Sequence, residues 1–241
     1  MLMAPIGVFA LIASTINTFA GDDPSRITEL LGALGLYMMT VIVGLLIHVC
    51  LTYGTMLKLF TPLGIKVFLQ GIAPAQLVAF STSSSAATLP VTMERVEEKL
   101  GVPEEVSSFV LPVGATINMD GTAIYQAIAA VFIAQSLGVD LNLTQQLTII
   151  LTAVMASIGT PTVPGAGTIM LILILESVGL PGAGIGLILG VDRILDMIRT
   201  AANVTGDAVV SVVIAHGEGQ LGEPNLSEED DHIQLRKPDR E

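Results

Sequence analysis

Long apolar runs alternate with short polar interruptions along the chain, and several interruptions fall where a membrane-spanning helix would have its middle. Residues 1–19 are apolar and just long enough to span, and "GDDPSR" follows as a polar turn. Residues 29–60 are apolar over enough length to cross a hydrocarbon core of ~30 Å with tilt. "TPLGIK" breaks that run. Next, "VFLQGIAPAQLVAF" stops at "STSSS" and resumes as "AATLPVTMERVEEKL". At ~1.5 Å per residue each arm is about 20 Å long, short of a bilayer. The pair therefore reads as a re-entrant hairpin over about 65–99, with its tip at residues 81–85. "GVPEE" is another polar turn, with Pro103 suited to a helix start. A helix over about 104–138 is apolar except for "TINMDGT" at its centre. The two-arm pattern then recurs over about 142–179. "LTIILTAVMASIG" stops at "TPTVPGAG", the expected tip at 160–167, and resumes as "TIMLILILESVG". A last helix, about 183–215, carries "VDRILDMIRTAANVTGD".

The order is hairpin, polar-centred helix, hairpin, polar-centred helix, which predicts an internal repeat of inverted sense. Non-helical backbone at membrane depth must be buried in protein or line a cavity. Interrupted hydrophobic segments in matching positions point to the binding site of a transporter.

The last helix carries the chemistry. At ~100° per residue, with Asp192 as zero, Asp196, Arg199, Asn203 and Asp207 fall near 40°, −20°, 20° and 60°, within about 80° of arc. Thr200 sits on the edge of this stripe. Facing lipid, each charge would cost about 2.5–3.5 kcal/mol, so the stripe must face a polar cavity. Arg199 offers a planar fork for a carboxylate, Asp196 a partner for an ammonium, and Asp207 with Asn203 hard oxygen ligands for a small cation. An acidic amino acid with Na+ uses all three. In "GATINMDGT", Asp120 sits mid-membrane and Gly121 is expected to let the helix open. Carbonyls freed from Gly114 and Asn118, with the Asp120 carboxylate, are candidate cation ligands, and Thr122 adds a polar side chain.

Composition agrees. Hydrophobic residues make up 51% and charged residues only 13%, about half the ~25% of a soluble domain, and the mean hydropathy is +0.74. The chain reads as an all-α, multi-pass protein of the lipid bilayer. The net charge of −12 comes largely from the polar, acidic tail, residues 216–241, expected to be cytoplasmic and unstructured. One cysteine, Cys50, excludes an intramolecular disulfide, and three scattered histidines give no metal-ligand spacing. There is no dinucleotide-binding glycine fingerprint and no basic patch for nucleic acid. No enzyme chemistry is indicated. The N-terminal run lacks a basic flank, so it reads as a scaffold helix rather than a signal peptide. It starts inside an apolar stretch, which raises the expectation of residues upstream. The expected organisation is 1–60 as linking helices, 61–215 as transport core and 216–241 as tail.

"STSSSAATLP", "NMDGT", "SIGT…VPGAG" and "DMIRTAANVTGD" together resemble the dicarboxylate/amino acid:cation symporters, the glutamate transporter family. The resemblance covers nearly all of the chain before the tail. That family has eight membrane helices and two hairpins, and this chain looks like helices five to eight with both hairpins. The resemblance implies that Arg199 holds the substrate's side-chain carboxylate and Asp196 its amino group. Asn203, Thr122, Thr200, Met119 and the segments at Ser84, Ser85, Val163 and Gly167 would complete the substrate shell. Gly114, Asn118, Asn203 and Asp207 would form one Na+ site. Thr116 with backbone oxygens of Ser157, Ile158 and Thr160 would form a second, and Asp120 with Asn118 part of a third. The family also implies a homotrimer at full length, residence in the inner or plasma membrane, and no organic cofactor. Pro161 and Thr162 depart from the usual second tip. Gln126 stands where animal glutamate carriers have a glutamate tied to proton coupling, and a Gln cannot titrate, so no proton cotransport is expected through it. Two alternatives stay open: a carrier for four-carbon dicarboxylates driven by Na+ or protons, and a truncated product that does not transport.

Overall fold

In a medium without water every backbone N–H and C=O must find its partner within the chain, which favours helices. The computed structural model describes residues 25–226 and the short stretches 9–10 and 13–14, and among them there is no strand. Most of the expected first span and residues 227–241 of the expected tail lie outside the described residues.

Helix α1 (Ser25–Ile47) runs through a π turn (His48–Tyr53) into α2 (Gly54–Phe60). Helices α3 (Ile65–Thr82) and α4 (Ser85–Glu98) are joined by two residues and pack on each other. Helices α5 (Glu104–Ile117) and α6 (Asp120–Ser136) divide the expected central helix at Asn118–Met119. Helices α7 (Leu143–Ile158) and α8 (Ala166–Ser177) form the second packed pair. A 3-10 turn (Gly182–Leu187) leads into α9 (Leu189–Gly217), the longest helix after the continuous α1–α2 rod.

Local chemistry sets the boundaries. Asn142 accepts from Gln145 N at 2.9 Å while Gln145 Oε1 accepts from Asn142 N at 3.1 Å, a reciprocal cap that starts α7. Glu104 and Glu105 lie in the first turn of α5, where acidic side chains suit the exposed N–H groups. Ser83 ends α3 in the left-handed region at φ 53, and Ser84 then caps α4 by accepting from Ala87 N at 3.2 Å. The first tip is thus tighter than the expected 81–85, because the Ser81 and Thr82 hydroxyls bond to carbonyls of their own helix and extend it. At 18 residues, α3 is also longer than expected, about 27 Å at ~1.5 Å per residue.

Among the described residues two large apolar clusters share α9, and a small third one, Ala75 and Ala79 of α3, meets it at Val204. The first gathers α1, α6, α7, α8 and α9 up to Ala202. The second gathers the π turn, α2, α3, α5 and α9 from Ala208 to Ala215. Between them lies the polar segment Asn203–Asp207, at the level where α5 breaks. Among the described residues four stretches are long and apolar enough to cross a membrane by length and composition: Ile27–Phe60, Ile65–Thr82, Glu104–Ser136 and Leu189–Gly217. Leu36, Leu51, Phe109 and Leu151 stand exposed on the outside of the bundle, as lipid-facing side chains would.

The beginning of the expected unstructured tail is tied down. Gly222 N donates to Gly101 O at 2.8 Å and Asn225 N to Lys99 O at 3.0 Å. Gly101 has φ 76, and a Cβ there would lie 2.6 Å from Gly222 O. Gly101→Ala should therefore cost about 2 kcal/mol. A lower melting temperature with faster proteolysis at 218–226 is expected, and unchanged proteolysis would contradict the tether.

Candidate functional site

The middle of α9 buries residues that water would normally keep. Asp192, Asp196, Arg199, Thr200, Asn203 and Asp207 are all buried. Burial of charge is tolerable only with partners, and the partners are present. Arg199 Nη2 donates to Asp196 Oδ1 at 2.8 Å, and Gly165 N donates to Asp196 Oδ2 at 2.8 Å. The Arg199 guanidinium lies 4.4 Å from the centre of the Tyr125 ring, a cation–π contact. Tyr125 in turn donates to Asp192 Oδ1 at 2.5 Å and shares a bond with Thr168 at 3.1 Å. Among the described residues Arg199 Nη1 has no hydrogen-bond partner.

The second tip is shaped for this. Gly165 adopts φ 77, which lets its N–H reach Asp196. A Cβ on Gly167 would lie 2.6 Å from Arg199 Nη1, so only glycine permits the guanidinium there. Residues 166 and 167 already belong to α8, so this tip is shorter than expected at its far end. The Gly167 carbonyl accepts from Gln126 Nε2 at 2.9 Å.

The gap between α5 and α6 falls at Asn118–Met119, with Asp120 beginning the new helix. Gly121 does not itself open the helix as expected. Its role is close approach: its N–H donates to Asn203 Oδ1 at 2.8 Å, and a Cβ would meet that oxygen at 2.8 Å. Asn203 Nδ2 completes the junction by donating to Thr122 Oγ1 at 3.1 Å. A small cavity of about 20 Å³ remains. Of the expected substrate shell, Arg199, Asp196, Asn203, Thr122, Thr200, Ser85, Val163, Gly167 and Met119 line it, joined by Ser83, Thr160, Pro161 and Thr162. Ser84 closes it instead, its Oγ donating to Thr162 O at 2.7 Å across the two tips. Such a space has room for about one water, so any larger guest must part the tips to enter. The unpartnered Ser83 Oγ and Arg199 Nη1 are what a polar guest would satisfy.

Of the expected cation ligands, Gly114, Asn118 and Asp207 come together. Asn118 Nδ2 donates to Asp207 Oδ1 at 3.0 Å, and a Cβ on Gly114 would lie 2.8 Å from that oxygen. The Asn203 side chain is engaged with Gly121 and Thr122 instead. Thr116 is exposed and its hydroxyl bonds back to Val113 O at 2.9 Å. Ser157 and Thr160 likewise bond carbonyls of their own helix. Ile158 is exposed, and α5 packs against α7, but among the described residues no hydrogen bond joins Thr116 to 157–160. Asp120 faces the π turn, where His48 Nε2 and Tyr53 OH both reach its Oδ2. Tyr125, His48 and Tyr53 were not legible as site residues. Each sits in an apolar run, and only the packed partner reveals its role.

A family model for sodium:dicarboxylate symporters matches residues 1–217. The chain belongs to the sodium:dicarboxylate symporter family. It is 45% identical over 217 residues to an excitatory amino acid transporter of Caenorhabditis elegans, covering 90% of this chain and 42% of that protein. It is 46% identical over 216 residues to excitatory amino acid transporter 1 of Homo sapiens, covering 90% and 39%. Against excitatory amino acid transporter 4 of Rattus norvegicus it is 46% identical over 213 residues, covering 88% and 37%. The chain thus spans about two fifths of the length of the curated relatives it matches. Membership in a transporter family sets enzymes aside, and with four apolar stretches of spanning length it describes a membrane protein.

Ser84→Ala should loosen the contact between the two tips. Losing a bond of about 1 kcal/mol predicts roughly fivefold faster amide exchange at residues 162–167. Unchanged exchange there would mean that the tips are held by other contacts.

Proposed function

We propose that the chain carries the substrate and cation sites of a sodium-coupled carrier for acidic amino acids. The observation that carries this reading is the Arg199–Asp196 pair, with Arg199 Nη1 unpartnered beside the cavity. An acidic amino acid exchanges one internal pair for two external ones. Its side-chain carboxylate takes the guanidinium, and its ammonium takes the carboxylate that the guanidinium releases. Neither charge of the internal pair is then left alone. A dicarboxylate without an amine would leave Asp196 with only the Gly165 N–H. That bond keeps Asp196 partly satisfied and is the one observation favouring the dicarboxylate reading.

Na+ coupling follows from Asp207. It is a buried carboxylate whose one side-chain hydrogen bond among the described residues comes from the neutral Asn118 amide. With the Asn118 amide turned to present its oxygen, Gly114, Asn118, Asn203 and Asp207 would offer a small cation oxygen ligands around one counter-charge. Asp120 with Asn118 would serve a further ion. Thr116 would meet Ser157, Ile158 and Thr160 only after the tip of α7–α8 moves, which would link ion binding to closure over the substrate.

In this reading α3–α4 and α7–α8 are re-entrant hairpins of an inverted repeat. The bond between their tips, Ser84 to Thr162, supports it. Residues 61–215 would move as the transport core in alternating access, linked through 1–60 to the scaffold of a homotrimer in the plasma membrane. The acidic tail would lie inside the cell. The sequence family and the relatives' names support an acidic amino acid as cargo.

Calorimetric titration of the purified protein with L-aspartate tests this. Binding in Na+ but not in K+ is expected, with Arg199→Ala at least ~100-fold weaker and succinate at least ~10-fold weaker than aspartate. Equal binding in both salts would contradict Na+ coupling, and tighter binding of succinate would favour the dicarboxylate carrier.

A further inference from the structure

The six-residue π turn His48–Tyr53 interrupts an otherwise continuous helical rod. Gly54 N reaches Val49 O, five residues back, at its end. Such turns are rare and tend to mark functional sites. Here the turn has a geometric consequence. In an α-helix, residues five apart point about 140° away from each other. In a π turn of roughly 4.4 residues the same pair is only about 50° apart. His48 and Tyr53 are five apart, and both reach one oxygen, Asp120 Oδ2, at 3.2 and 3.1 Å. Their rings meet edge to face at 4.7 Å and 71°. Thr52 Oγ1 lies 3.2 Å from His48 Nδ1 and fixes the imidazole from behind. On the far side, a Cβ at residue 206 would lie 2.2 Å from Tyr53 OH and 2.8 Å from Asn118 Nδ2, so Gly206 makes room for the phenol beside the Asn118–Asp207 contact. Among the described residues no hydrogen bond reaches Asp120 Oδ1.

We propose that the π turn is a positioning device for the cation site at Asp120: His48 and Tyr53 clamp Oδ2 from one side and leave Oδ1 free for the ion. Neither residue is itself a ligand. Each sets the carboxylate's rotation, and the clamp works only while the turn keeps both on one face. The inference rests on the reading of Asp120 as a ligand of a coupling ion. It goes beyond that reading by assigning two residues of another helix to the site.

The test measures the Na+ concentration giving half-maximal L-aspartate binding, in the wild type and in Tyr53→Phe, His48→Ala and His48→Gln. Tyr53→Phe and His48→Ala should raise that concentration at least about tenfold, the worth of one hydrogen bond to a charged group. Aspartate affinity at saturating Na+ should stay within about twofold. His48→Gln, whose amide N–H can replace the imidazole N–H, should restore the wild-type Na+ dependence. A wild-type Na+ dependence in Tyr53→Phe and His48→Ala overturns the proposal, as does weaker aspartate binding at saturating Na+ that Gln fails to rescue. A wild type that binds aspartate without Na+ overturns the functional reading first, and the clamp with it.

Discussion

The buried Asp196–Arg199 pair is the constraint to which the surrounding structure answers. Two charges inside an apolar bundle are stable only if their remaining hydrogen-bonding capacity is met. Asp196 needs a second donor, which the left-handed Gly165 supplies from its backbone. Arg199 needs a flat neighbour and space, which Tyr125 and Gly167 supply. These demands draw the second tip onto α9. They also explain why the tip is glycine-rich and irregular where a helix would otherwise continue. The unpartnered Nη1 leaves the cluster one contact short, and a substrate carboxylate of the proposed kind would complete it.

The same logic orders the rest of α9. Its first half seals one apolar cluster and its second half another, so its polar middle lies at their junction. The break in α5–α6 lies beside that middle, because Asn203 needs the Gly121 N–H and Asp207 needs the Asn118 amide. Breaking a helix at membrane depth exposes backbone groups that protein partners, ions or a water-filled cavity must satisfy. Fold and proposed chemistry therefore share one requirement, a polar seam buried along α9. The seam is tight in this state, and the tips meet through Ser84 and Thr162.

Much of this was legible in the chain. The spacing of Asp192, Asp196, Arg199, Asn203 and Asp207 placed them on one face, and all are buried together. The serine run and "VPGAG" marked the two tips. Other features depend on packing that no single stretch encodes. The helix gap falls two residues before Gly121, because Gly121 is needed for contact with Asn203 rather than for flexibility. Asp120 is held by the π turn rather than facing the cavity, and that turn has no signature in the apolar run from 29 to 60. Asp196 could be read as an ammonium receptor, but its pairing with Arg199 three residues on shows only when the rotamers are seen.

The most direct test of the central claim is a structure of the protein determined with L-aspartate and Na+. The account predicts parted tips, with the ligand's side-chain carboxylate on Arg199 and its ammonium on Asp196, the internal pair having been exchanged. A bound aspartate that leaves the Asp196–Arg199 bond intact, or that sits away from α9, would contradict it.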